Sequence, residues 1–269
     1  MLKQSQFISL RVNCTLQNVR VSNIYDDEEL YSQERMHEIT WLEKVSHTMP
    51  EDTIVDSWVK HHASQNRVEQ AVPGINAILP LIPKQVHTLE TQFHCMNIIR
   101  NTTAFLNPHQ MPLDVCDQPV FALTKEIQFR KPDVFGSSQY FSLLGGLHIE
   151  HCLLSLHGEL IKGSGMYEIL TNNNFSIIGT GAVVNANHIK QARYGFQVVA
   201  CAIYSKLKEA CSNSNSYLQP MMWLQERKKN NQMCFYWDMI LNFETDILLY
   251  IRAIRESNFH LYVQCLKSL

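Results

Sequence analysis

Two segments, residues 111–119 and 140–150, constrain the fold of this chain most strongly. The first reads Met-Pro-Leu-Asp-Val-Cys-Asp-Gln-Pro and the second reads Tyr-Phe-Ser-Leu-Leu-Gly-Gly-Leu-His-Ile-Glu. Each is a largely apolar run that stops near an acidic residue and then passes into a helical pattern, as strands do in α/β sheets. Acidic residues at the ends of adjacent strands can share a divalent metal ion. The pattern therefore makes a nuclease-like or transposase-like centre the sharpest hypothesis.

The order of the predicted elements favours an α/β fold, with α+β as the alternative. Strand and helix patterns follow one another closely between residues 111 and 161, which argues against separate layers. We expect a small central sheet built from residues around 111–117 and 140–145, with residues 175–184 as a further candidate strand. Helical spacing dominates elsewhere, so the fold is predicted to be helix-rich, with its last third formed by residues 186–210, 220–229 and 233–266.

The distribution of prolines and polar residues predicts three parts of the chain. Residues 1–64 form an N-terminal extension that is mainly helical, although residues 1–25 alternate loosely in the manner of a strand or two. Residues 65–84 contain Pro73-Gly74, Pro80 and Pro83 and are the best candidate for a linker. Residues 85–269 then form the α/β core with its helical last third. The chain ends directly after a helical pattern, which leaves open that it is truncated at the C-terminus.

Composition restricts the kinds of partner. The chain of 269 residues has 23 basic and 25 acidic residues and a formal net charge of −2. It therefore has no global basic surface of the kind that binds nucleic acid non-specifically. A DNA contact would have to be local, and the candidates are Arg227, Lys228 and Lys229 beside Trp223. The alternative is a solvated helix end, which is the usual role of three clustered charges.

Cysteine usage and hydropathy predict an intracellular protein. The eight cysteines are scattered, without a C-x-x-C pair or a disulfide framework, so reduced and mostly buried thiols are expected. No apolar run reaches the roughly 18 residues of a membrane span, and no leader pattern follows Lys3. We expect a location in the nucleus or cytoplasm, neither secreted nor in a membrane. Cys116 and Cys152 flank the acidic motifs, but packing is the simpler role for them because no thiol-activating pattern surrounds them.

Several motifs resemble an uncharacterised family of animal proteins that occur as dispersed copies in fish and invertebrate genomes, in the manner of mobile elements. The resemblance covers about residues 55–266 and is strongest over 106–165, and family chains are usually longer. A more distant resemblance, carried by Asp117-Gln-Pro and Gly146-Leu-His, is to cut-and-paste transposases with a ribonuclease-H-like fold. The motifs that carry the family resemblance lie at residues 79–82, 96–100, 106–108, 116–119, 125–128, 145–150, 163–165 and 254–259.

The resemblance implies DNA phosphodiester transfer with Mg²⁺ as the ancestral chemistry. Asp117 takes the place of the acid after the first core strand, and Glu150, or His148 beside it, takes that of a second metal-facing group. The third acid of the catalytic set would come from a later helix, with Glu244 and Asp246 as candidates. Such enzymes hold two ions about 4 Å apart to stabilise the attacking and leaving oxygens. The chain departs from the family at His151 and over residues 192–196, so lost activity is an open alternative.

Simpler roles for the same residues lead to two other functions. An aspartate between a strand and Gln-Pro is more often a helix N-cap than a metal ligand. Asp117 as a cap would favour a non-catalytic binding or scaffold protein derived from a mobile element. His148 and His151, at positions i and i+3 with His157 and Glu159 nearby, could instead bind Zn²⁺ in a metal-dependent hydrolase. That zinc site lacks a clear fourth ligand, so hydrogen-bonded core or surface histidines are the simpler interpretation.

Overall fold

The computed structural model describes residues 27–47, 56–65, 81–173 and 180–269. These residues form a helix-rich structure with one pair of strands, which confirms the predicted helix-rich class with a small sheet. Its elements, in chain order, are α1 (Glu28–His47), α2 (Trp58–Ala63), α3 (Leu89–Leu106), β1 (Leu113–Cys116), α4 (Gln118–Arg130), α5 (Pro132–Phe135), β2 (Phe141–Leu144), α6 (Gly146–Leu160), α7 (Met166–Asn172), α8 (Thr180–Val184), α9 (Ile189–Asn213), α10 (Pro220–Arg227), α11 (Gln232–Arg255) and α12 (Phe259–Ser268).

Two of the three predicted strands are present. β1 and β2 pair in parallel, with Leu113 opposite Phe141 and Cys116 opposite Leu144. The third prediction is wrong for residues 180–184, which form helix α8, while residues 174–179 lie outside the described residues. A short apolar run fits a buried helix as well as a strand, and α8 buries Val183 and Val184. A ribonuclease-H-like arrangement stays a prediction.

The described structure falls into two compact units. Of the described residues, 27–47, 56–65, 154–173 and 180–269 belong to unit 1, and 81–153 belong to unit 2. The N-terminal helices are thus grouped with the C-terminal third, because α1 packs against α9 and α11. Most of the predicted linker, like the predicted strands of residues 1–25, lies outside the described residues.

Unit 2 is a β-α-β unit with an additional helix. The chain leaves β1, passes through α4 and α5, and returns as β2, which is the kind of crossover that parallel strands require. Helix α3 packs on α4, and the apolar core contains Met96, Ile127, Phe135 and Tyr140. The Gln128 side chain donates a hydrogen bond of 2.8 Å to the carbonyl of Tyr140, which joins α4 to the start of β2.

Unit 1 is helical, and α11 is its central element. Every residue of α11 from Ile247 to Ala253 is buried, as its apolar circumference predicts. The sequence pattern predicts one helix over residues 233–266, but that prediction is wrong. Ser257 has a φ of 53°, and the Asn258 side chain accepts a hydrogen bond of 3.0 Å from the Leu261 N–H. This cap starts α12 as a separate helix.

A buried network of charges joins α1, α2 and α11 in unit 1. The Arg252 side chain is 1% exposed and pairs with Glu34 and, at 2.8 Å, with Glu38. Glu38 also accepts hydrogen bonds from the Trp58 indole, at 2.7 Å, and from His62, at 3.1 Å. Because the Glu38 carboxylate is fully buried, these donors replace the water that it loses on folding.

Helix α6 makes a close backbone contact with α8 at Gly158. A Cβ atom added to Gly158 would lie 1.8 Å from the carbonyl oxygen of Val184, so only glycine fits there.

Among the described residues, no helix is both long and apolar enough to cross a membrane.

Candidate functional site

Asp117 directly follows β1 and caps helix α4. Its backbone is extended, with φ −71° and ψ 169°, and its Oδ1 atom accepts a hydrogen bond of 3.1 Å from the Val120 N–H. Pro119 in the first turn of α4 removes one N–H that would otherwise need a partner. The aspartate therefore satisfies a backbone donor that α4 leaves free at its first turn. This geometry fits the alternative in which Asp117 is a helix N-cap rather than a metal ligand.

We expect Asp117→Ala to lower the free energy of unfolding by about 0.5–2 kcal/mol, because it removes the acceptor for the Val120 N–H. Asp117→Asn keeps a side-chain oxygen and is expected to cost less. Urea denaturation of both variants and the wild type measures the difference. Equal stability of Asp117→Ala and the wild type would contradict the capping role.

Glu150 and His148 lie on α6, after the end of β2. The parallel register places Cys116 opposite Leu144, so both acidic motifs start from the same edge of the sheet, as the sequence predicts. Glu150 is buried at 2% exposure, whereas His148 is partly buried. The backbone N–H of His148 donates a hydrogen bond to the carbonyl of Gly145. A buried carboxylate at this position is poorly placed to bind a hydrated ion.

Glu244 belongs to unit 1 and faces a histidine. Its carboxylate oxygen Oε1 lies 3.1 Å from Nε2 of His157, and both side chains are almost completely buried. Burial raises the pKa of Glu244, while the nearby His157 opposes that shift. Asp117 and Glu150 are in unit 2, so the convergence of all three acids on one site stays a prediction.

Cys201 on α9 lies close enough to Glu244 for the carboxylate charge to act on its thiol. Burial first, and the charge of Glu244 second, raise the pKa of Cys201 to about 12. A thiol with so high a pKa is protonated at neutral pH and is a poor nucleophile.

Asp246, the other candidate for the third acid, is held by helix α1. It accepts a hydrogen bond of 2.6 Å from the Tyr31 hydroxyl and one of 3.2 Å from Nε of Arg35. Burial raises the pKa of Asp246 in spite of the opposing Arg35 guanidinium. Its carboxylate thus joins α1 to α11.

The three basic residues proposed for DNA contact have partners within the chain. Lys228 pairs with the buried Asp238 at 2.7 Å, and Lys229 pairs with Glu226 at 2.9 Å. The Arg227 guanidinium lies 5.4 Å from the centre of the Trp223 ring. DNA binding through these residues would compete with those contacts, and it stays a prediction.

The Mg²⁺ and Zn²⁺ sites that the sequence suggests stay predictions. Among the described residues, no three His, Cys, Asp or Glu side chains are placed to hold one metal ion. His157 faces Glu244 in the interior of unit 1.

Asp114 is a chemically notable residue that the sequence interpretation overlooked. It lies in β1, opposite Ser142, and its Oδ2 atom accepts a hydrogen bond of 3.2 Å from the Tyr140 hydroxyl. Burial raises the pKa of Asp114. Aspartate is depleted in strands, so its place within an apolar run was a usable signal. His157 had no comparable signal because its partner is 87 residues away in the sequence.

The chain matches no protein-family profile, no curated protein and no solved structure.

Proposed function

We propose that this chain is a mobile-element-derived protein that has lost phosphodiester chemistry and acts by binding another protein. The observation that carries the proposal is the hydrogen bond from the Val120 N–H to Asp117. The first acid of the expected catalytic set serves the helix that follows it. A similar structural role holds for Asp246, which binds Tyr31 and Arg35.

The buried acids are poor ligands for Mg²⁺. The ion prefers octahedral oxygen coordination, keeps several waters, and is usually bound by one or two carboxylates together with substrate phosphates. Glu150 and Glu244 are buried at 2% and 1% exposure, which leaves little space for a hydrated ion at either carboxylate. Recruiting them would also break the close contact of Glu244 with His157.

Exposed apolar side chains on α10 and in the first turns of α11 support binding of a protein. Met222 on α10 and Met233, Phe235 and Met239 on α11 are exposed. Methionine is flexible and polarisable, which suits surfaces that contact other proteins. A protein partner also fits the formal charge of −2 better than DNA does.

A nicking assay tests the loss of chemistry. Labelled supercoiled and linear DNA are incubated with Mg²⁺ or Mn²⁺ and either the wild type, Asp117→Asn, or Asp133→Asn, a control at an exposed acid in the first turn of α5. We expect the three proteins to give the same background signal. Nicking by the wild type and Asp133→Asn that falls at least about 100-fold in Asp117→Asn would overturn the proposal, because losses of that size mark a group that acts in the transition state.

Transposase-type transfer of DNA strands with Mg²⁺, on a ribonuclease-H-like fold, is the alternative that this assay separates. This alternative is supported by the parallel pairing of β1 with β2, because the motifs that contain Asp117 and Glu150 both start from the same edge of the sheet.

A further inference from the structure

Helix α11 carries a stripe of side chains that α1 covers at one end and that is exposed at the other. The members of this stripe are spaced three or four residues apart, on one face of the helix, and are Phe235, Met239, Asn242 and Asp246. Asn242 and Asp246 accept hydrogen bonds from Arg35 on α1. Nearer the start of α11, Met239 is 36% exposed and Phe235 is 56% exposed. The exposed end of the stripe is therefore apolar.

Helix α1 runs in the same direction as α11. The Tyr31 hydroxyl donates a hydrogen bond to Asp246, and Glu38, further along α1, accepts one from Arg252, further along α11. The first turn of α1 therefore lies toward the exposed end of the stripe.

The chain that precedes α1 starts within reach of that end. Asp27 caps α1, because its Oδ1 atom accepts a hydrogen bond of 3.0 Å from the Leu30 N–H. Measured along α11 from Asp246, Met239 is about 10 Å away and Phe235 is about 16 Å away, at 1.5 Å for each helical residue. An extended chain spans about 3.3 Å per residue, so about five residues before Asp27 are enough to cover this distance.

Residues 19–26 have the composition of a segment that can pack on an apolar stripe. They lie outside the described residues, and their sequence is Val-Arg-Val-Ser-Asn-Ile-Tyr-Asp. Two valines, an isoleucine and a tyrosine are thus available beside two exposed apolar side chains, Phe235 and Met239. Contact between the two sets would remove apolar surface from water on both sides, which is favourable.

Covalent attachment gives this segment an advantage over a separate molecule. It is joined directly to the capped Asp27, and a short tether of this kind provides an effective concentration on the order of 1 mM. A second copy of the chain would need a comparable concentration in solution to compete. The segment of the same molecule is therefore the favoured occupant of the stripe.

We propose that residues 19–26 dock on Phe235 and Met239 of the same molecule and extend the contact that α1 makes with α11. The docking itself does not depend on the proposed function, whereas its regulatory consequence rests on it. A protein that binds the exposed apolar side chains of α10 and α11 has to displace this segment from Phe235 and Met239. The segment then acts as a competitor that is built into the chain.

Photo-crosslinking of the full chain tests the docking. The photoreactive residue p-benzoylphenylalanine replaces Met239, or, in a matched control, Met233, which is exposed in the first turn of α11 but lies off the stripe. An equal mixture of ¹⁵N-labelled and unlabelled protein is irradiated, and mass spectrometry locates the crosslinks. We expect crosslinks from position 239 to residues 19–26 within one molecule, and the loss of these crosslinks at position 233.

Three results of this experiment overturn the proposal. The first is the absence of crosslinks from position 239 to residues 19–26, and the second is an equal yield of them from position 233. The third is crosslinks that join labelled to unlabelled peptides, which would assign the stripe to a second copy. None of these results depends on whether a protein partner exists, so failure of the docking is distinguishable from failure of the proposed function.

A second measurement leaves Met239 in place. Limited treatment with hydrogen peroxide converts exposed methionines to the sulfoxide, and the ratio of Met239 to Met233 oxidation is measured by mass spectrometry. We expect Ile24→Asp to raise this ratio by up to about tenfold, since burial of one isoleucine shifts an equilibrium by at least about that factor. Ser22→Asp, which adds the same charge at a polar position, should leave the ratio unchanged. Equal ratios in Ile24→Asp and Ser22→Asp overturn the proposal.

Discussion

Replacing Arg252 with methionine is expected to lower the free energy of unfolding by about 3–5 kcal/mol. The guanidinium is 1% exposed and neutralises Glu34 and Glu38, which approach it from α1. Methionine fills a similar volume but leaves the fully buried Glu38 without its cationic partner. The loss would be a large part of the total stability of an ordinary domain, which is about 5–15 kcal/mol.

Urea denaturation monitored by circular dichroism measures this effect, and Arg130→Met is its control. Arg130 also pairs with a glutamate, Glu126, but both side chains are well exposed. An exposed pair of this kind contributes at most about 1 kcal/mol. A loss in Arg252→Met no larger than that in Arg130→Met would show that the buried network does not hold α1 on α11.

Gly158→Ala is expected to cost at least about 2–4 kcal/mol, because its new methyl group would meet the backbone of α8 rather than a flexible side chain. The added Cβ would lie 1.8 Å from the carbonyl oxygen and 2.8 Å from the carbonyl carbon of Val184. Neither atom can move unless α6 and α8 separate. The gain in helix propensity on replacing glycine, about 1 kcal/mol, is too small to offset this overlap.

The matched control is Gly181→Ala within α8. Among the described residues, its added Cβ would meet the Tyr167 hydroxyl alone, at 3.5 Å, which is an ordinary contact, so we expect stability to stay within about 1 kcal/mol of the wild type. Thermal unfolding of the two variants compares them directly. Equal changes of stability in Gly158→Ala and Gly181→Ala would contradict the close packing of α6 on α8.

Local patterns were sufficient to predict much of the secondary structure. Short apolar runs ending at acids predicted β1 and β2, and helical spacing predicted α4, α6, α9 and α10 to within a few residues. These elements are specified by neighbours in sequence, such as the aspartate, Gln and Pro that start α4. The break between α11 and α12 was also encoded locally, by Ser257 and Asn258, but the apolar pattern on both sides obscured it.

The sequence could not predict which distant residues meet. Arg252 lies 214 residues from Glu38, and the contact of Glu244 with His157 depends on how α6 and α11 pack. An isolated glutamate in a helical pattern looks the same whether it binds a metal or a buried histidine. Asp117 differs because its N-cap role depends on the next three residues alone, and both of its possible roles could be stated from the sequence.

Mn²⁺ titration tests most directly whether Asp117 serves helix α4 rather than a metal ion. Paramagnetic broadening of the backbone amide resonances of residues 114–120 and 147–152 is recorded at increasing Mn²⁺ concentration in the wild type and in Asp117→Asn. The capping role predicts that these amides are broadened no more than other surface amides, and equally in both proteins. Selective broadening around Asp117 and Glu150 in the wild type that disappears in Asp117→Asn would contradict it.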